Sequence, residues 1–197
     1  MSRPLRSDSD LEGAAVDVKY EIDMMMMAAD DMRLGIWGSP ATALSDWRKN
    51  MALECFLLHY RNLRAFLVPL LQAGPHPDDI LASDFLQKAA WVDVGDKTRL
   101  EIDKRRLDQM LQHLSYKRHN EFKSQGNTNW HVTRMLVLML HELDKFLTAI
   151  PDHIRPWFPD QADLAKERAL MEVQVPSGLP LTTSSFAVHF TRHTLPK

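Results

Sequence analysis

Between Leu53 and Leu70 the apolar residues return every three or four positions, at Leu53, Phe56, Leu57, Tyr60, Leu63, Leu67 and Leu70. That spacing gathers them on one stripe of an α-helix, and such a stripe has to be buried against another element. Ser39 followed by Pro40 offers an N-cap and a first helical residue, and Gly74-Pro75 closes the segment, so a helix is predicted over 40–72. Pro69 lacks a backbone donor and predicts a kink in its last turn. Three more segments carry the same period. One runs over 14–34 through Ile22, the four methionines Met24 to Met27, and Met32. The second, over 98–122, opens on the capping box Thr98-x-x-Glu101 and has Leu100, Leu107, Met110, Leu111 and Leu114 on one face. The third, over 129–150, carries Val132, Leu136, Met139, Leu140, Leu143, Phe146 and Leu147, and Pro151 ends it. Four amphipathic helices joined by short connections predict an all-α, four-helix bundle-like fold.

The remaining segments frame that bundle. Residues 1–13 are polar and aperiodic and read as a mobile N-terminal tail, leaving 14–150 as the bundle domain. Residues 74–96 read as a connector with at most a short helix around Ile80–Leu86. From Pro151 onward lie six of the eleven prolines, so 151–197 is expected to be a mostly irregular extension that packs on the bundle or trails from it. Within it, a helix is expected at Gln161–Met171 and strand character at Phe186–Phe190.

A chain of 197 residues suits one main domain. Its net charge of -2 provides no global field for nucleic acid or anionic membrane, so any RNA contact must come from a local basic patch. No apolar run approaches the ~18 residues of a membrane span. The start of the chain lacks the apolar core of a secretion signal, and a cytoplasmic location is expected. Cys55 is the single cysteine, which excludes an intramolecular disulfide and a thiolate zinc cage within one chain. It sits in the apolar run Met51–Leu58 and reads as a buried structural thiol. Met24 to Met27 read as a soft packing surface, since thioether ligands for copper(I) usually come spaced rather than consecutive. His113 and His119 are six apart and His131 and His141 ten apart, and neither spacing puts two ligands on one helical face. No metal and no cofactor is predicted.

Chemistry is suggested most by the helix over 98–122. Beside its apolar face runs a second line, Ile102, Arg106, Gln109, His113 and Tyr116, at spacings of four, three, four and three. Arg106 and His113, seven apart, fall on nearly the same line. An imidazole that titrates near neutrality can move a proton, and a guanidinium beside it can stabilise charge on a phosphoryl group. The same spacing recurs at Arg134 and His141, but there it brackets a very apolar stretch whose polar ends flank a core helix.

The Arg106–His113 spacing resembles the Arg-x(4–6)-His signature of the higher-eukaryote-and-prokaryote nucleotide-binding (HEPN) superfamily. The segment from Met51 to Leu67 also resembles a bacterial family of helical proteins with the pattern Ala-Leu-x-Glu-x-Phe-Leu-x-His-x-Arg-Asn-Leu-x-x-Phe-Leu. Asp78 to Phe85 looks like that family's acidic connector, and His113-Leu114-Ser115-Tyr116 like its His-Leu-Thr-Tyr element. The resemblance covers about residues 50–118, one third of the chain. Asp108-Gln109 stand where the family tends to Asn-Lys, and Ser115 replaces Thr. The resemblance implies a HEPN-like homodimer acting as a metal-independent RNase, or binding RNA or a nucleotide. His113 would be its general acid or base, Arg106 would stabilise the phosphate, and Tyr116 would stand at the rim.

Two further features bear on the site. Glu54 and Arg61 are seven apart on one line with Asn62 beside them, an arrangement that supports either helix register or His113 from a facing helix. His59 points to a different surface from Glu54. Arg105, Arg106, Lys117, Arg118 and Lys123, interleaved with His113, Tyr116 and His119, form a basic run that suits a solvated helix face or an RNA contact. Whether the chain is an enzyme stays open, and two functions stand side by side: an RNase or RNA-binding protein, and a non-enzymatic helical interaction protein whose polar helix face meets a protein partner.

Overall fold

The computed structural model describes residues 5–34, 43–68, 76–86, 107, 111, 129–172 and 188–189. Four α-helices lie within them: α1 (Asp8–Leu34), α2 (Ala43–Leu67), α3 (Val132–Ala149) and α4 (Gln161–Glu172). Two short 3-10 helices, Ala82–Leu86 and Arg155–Trp157, and a two-residue ladder complete the described elements. In that ladder β1 (Asn129–Trp130) pairs antiparallel with β2 (Val188–His189). The fold is all-α and bundle-like. No helix among the described residues is long and apolar enough to cross a membrane.

Residues 8–13 are not a tail. The first turn of α1 is closed by a reciprocal box in which the Asp10 N–H donates to Ser7 Oγ at 3.2 Å and the Ser7 N–H donates to Asp10 Oδ2 at 3.2 Å. Two orphan donors are satisfied at once, so the helix can start at Asp8, six residues before the start expected at Ala14. Leu11 then begins a buried line through Ala15, Val18, Ile22, Met25, Ala29 and Met32, at alternating steps of four and three. Arg6 donates to the Pro77 carbonyl and fastens the entry to the connector.

Helix α1 packs chiefly on α2, α2 packs also on α3, and α3 on α4. Phe66 of α2, Phe85 of the first 3-10 helix, Phe146 of α3 and Phe158 after the second one meet edge-on, with centroids 5.1–6.0 Å apart. Such edge-to-face contacts add to the area these rings bury and fix where four elements meet. Ile154, Phe158 and Leu164 belong to the same core, so the first part of the C-terminal extension packs on the bundle and is helical at α4.

Helix α3 starts at Val132 rather than 129, because Asn129 and fully buried Trp130 are extended in the ladder. The expected strand at 186–190 is present as Val188–His189. Of the helix expected over 98–122, only Leu107 and Leu111 are described. Both are helical, Leu107 fully buried and Leu111 half-buried against the core. The kink expected at Pro69 lies outside the described residues.

Candidate functional site

Arg106, His113 and Tyr116 lie outside the described residues, as does the basic run around them. Of the supporting trio, Glu54 is exposed, Arg61 half-buried and partnered, and Asn62 half-buried. Asn62 turns to α1, where its Nδ2–H donates to Glu21 Oε2 at 3.1 Å. The polar centre that does form was not expected from the sequence. His59, only 6% exposed, donates from Nδ1 to the same Glu21 oxygen at 2.6 Å. Tyr20 places its ring edge-on to the imidazole, with centroids 5.7 Å apart. One carboxylate of α1 thus holds two consecutive turns of α2, a charge-assisted link of the stronger kind. The sequence separates His59 from Glu54 correctly, but Glu21 is 38 positions away and no local spacing points to it.

These contacts also set the direction of the hairpin. Were α1 and α2 parallel, Leu34 would lie ~20 Å past Glu21 and Ala43 ~24 Å before His59, a gap that the eight residues between them cannot span at ~3.5 Å each. The helices are therefore antiparallel. Cys55 agrees, because burial first, and then the charges of Asp31 and Glu21, push its thiol value up. A residue N-terminal to His59 on α2 feels one C-terminal to Glu21 on α1. The same shift keeps Cys55 protonated, which disfavours a nucleophilic role.

Elsewhere, polar groups serve the fold. Asp79 accepts from the His76 N–H at 2.7 Å and Asp84 from the Leu81 N–H at 3.0 Å, so two acids of the connector close its turns. Glu142 of α3, 2% exposed, pairs with Lys145 at 2.8 Å. Gln161 of α4 donates to Asp144 Oδ1 at 3.1 Å and to Thr148 Oγ1 at 3.0 Å and locks α4 to α3. Among the described residues no three of His, Cys, Asp and Glu gather in a way that could hold a metal ion.

What α1 and α2 do not bury is a second apolar row. On α1, Val16, Tyr20, Met27 and Leu34 are 63%, 56%, 64% and 57% exposed. At 3.6 residues per turn they fall within about 40° of one another and directly opposite the core line. On α2, Trp47, Met51 and Leu58 are exposed at helical spacing, and Asn62, one turn past Leu58, reaches Glu21 beside Tyr20. The two rows therefore run side by side along the seam marked by Glu21, His59 and Asn62. Met25 is fully buried while Met27, two positions on, is solvent-facing, so the methionine run serves both faces of α1.

Comparison with protein-family models, with curated proteins and with solved structures gives no match.

Proposed function

We propose that this chain is a helical interaction protein and that the outer face of the α1–α2 hairpin is its contact surface. The observation that supports it is the row Val16, Tyr20, Met27 and Leu34 standing opposite the core line of α1, with Trp47, Met51 and Leu58 beside it. Scattered exposed apolar residues are ordinary, but contiguous ones on adjoining helices are a feature of recognition surfaces. Methionine suits such a surface because its unbranched chain adapts to different partners.

The reading is tested by replacing Tyr20, Met27 and Met51 together with serine and sizing the protein in lysate of its own cells. Wild type should run well above its 22.7 kDa monomer and the variant at it, with equal helical circular dichroism. Wild type already running as a monomer would contradict the proposal.

A second reading is a HEPN-like homodimeric RNase or RNA-binding protein of a bacterial cytoplasm, using Arg106, His113 and Tyr116. What supports it beyond the resemblance is that Leu107 and Leu111, on the helix where the Arg–His spacing is read, are helical and turned to the core. Cleavage of single-stranded RNA with EDTA present, lost in both His113→Ala and Arg106→Ala, would favour it over the interaction reading.

A further inference from the structure

The charge around the apolar row narrows what covers it. Helix α1 carries eight carboxylates against two cations, Lys19 and Arg33, a net charge of -6 in a chain whose total is -2. Arg33 is already paired with Asp30 at 2.8 Å. Around the row the acids are arranged on both sides. Glu12 and Asp23 flank it away from α2, Asp17 and Asp31 flank it toward α2, and all four are exposed. A row of Val, Tyr, Met and Leu rimmed by carboxylates repels an acidic partner and suits one with the inverse pattern.

The geometry adds shape to that chemistry. Two antiparallel helices with outward rows side by side leave a seam that a third helix can fill, anchoring residues at i, i+3 or i+4, and i+7. Tyr20, Met27 and Leu34 recur every seven residues, so the row keeps the helical period along its length. From Val16 to Leu34 it extends ~27 Å, the length of a helix of about 18 residues.

We infer that the α1–α2 outer face docks a basic amphipathic helix of a partner protein, whose apolar stripe covers the exposed row while its Lys and Arg residues pair with Glu12, Asp17, Asp23 and Asp31. This rests on the interaction reading above and adds the partner's chemistry to it. The occupant is basic because the α1 side of the rim is acidic, and helical because the row is long, narrow and periodic.

The test uses the full chain and three labelled peptides of about 20 residues followed by fluorescence anisotropy. The first has Leu at heptad a and d positions and Lys or Arg elsewhere; the second has Glu in place of every Lys and Arg; the third has the composition of the first in scrambled order. The first should bind, weaken at least tenfold with the chain's Tyr20→Ser/Met27→Ser variant, and weaken at least fivefold with Asp23→Asn/Asp31→Asn. The acidic and scrambled peptides should not bind. Equal binding of the scrambled peptide would overturn the inference, because net charge alone would then explain it. So would tighter binding of the acidic peptide. A wild-type dimer in analytical ultracentrifugation that Met27→Arg converts to a monomer would also overturn it, since the face would then belong to a second copy, while leaving the interaction reading standing. Failure of every peptide together with a monomeric wild type that forms no complex in lysate would remove both.

Discussion

Glu21 accepts from His59 and Asn62 at once, so a single carboxylate oxygen ties α1 to two turns of α2. Replacing His59 with alanine leaves a buried space and removes the stronger of the two donors, which should cost about 2 kcal/mol of stability. Glu54→Ala, on the exposed edge of the same helix, should stay within about 0.5 kcal/mol of wild type. Urea unfolding at neutral pH measures both, and equal losses would show that the seam is not held in this way. The contrast also shows what a sequence can carry at this scale. Seven-residue spacing aligns Glu54 with Arg61 but is silent on depth, and Glu54 faces solvent. The partner that matters comes from another helix, through a register that only packing creates.

Helix α1 illustrates the next scale. Its N-terminal turn stands on Ser7 and Asp10, and Ser7→Ala should cost about 1 kcal/mol and fray the helix as far as Leu11. Hydrogen bonds from Ser7, the side-chain bond first and then the backbone one, hold the Asp10 carboxyl below the usual carboxylate range. A depressed folded value means a contribution that is complete above the unfolded carboxylate value and is lost as pH falls through the folded one. Amide exchange at Leu11 should therefore be slow at pH 6, accelerate relative to Met25 below about pH 4, and show no such dependence in Ser7→Ala. Exchange at Leu11 that is as fast at pH 6 as at pH 3 would contradict the box. The Ser-x-x-Asp pattern and Leu11, four before Ala15, are both legible in the sequence, and polar composition around them is what makes the segment look like a tail. Helices α2 and α3 are easier to read because their apolar periods are uninterrupted: α3 differs from expectation chiefly at its start, where Asn129 and Trp130 leave the helical path for the ladder.

Across the whole molecule, four phenylalanines do what sequence-distant residues must do in a bundle of this kind: they join the hairpin, the connector, α3 and the C-terminal segment in one contact set. Phe85 is fully buried at its centre, so Phe85→Ala should cost about 3–5 kcal/mol and expose Phe158 along with it. A loss below about 1 kcal/mol in calorimetry or urea unfolding would show the junction to be dispensable. The α1, α2 and α3 helices are readable because their segments repeat at three and four, whereas this junction is not, because its rings lie on separate elements with no common spacing. The outer row has the same origin. Val16, Tyr20, Met27 and Leu34 carry a helical period of their own, but only the position of the core line shows which of the two faces of α1 is spare. The central claim is that this spare face is occupied in the cell. A photo-crosslinking amino acid at position 27, with one at exposed Ala165 of α4 as control, tests it directly. A discrete adduct at position 27 that is absent at 165 and vanishes with Tyr20→Ser/Met51→Ser is the expected result; the same adducts at both positions, or none at 27, would contradict it.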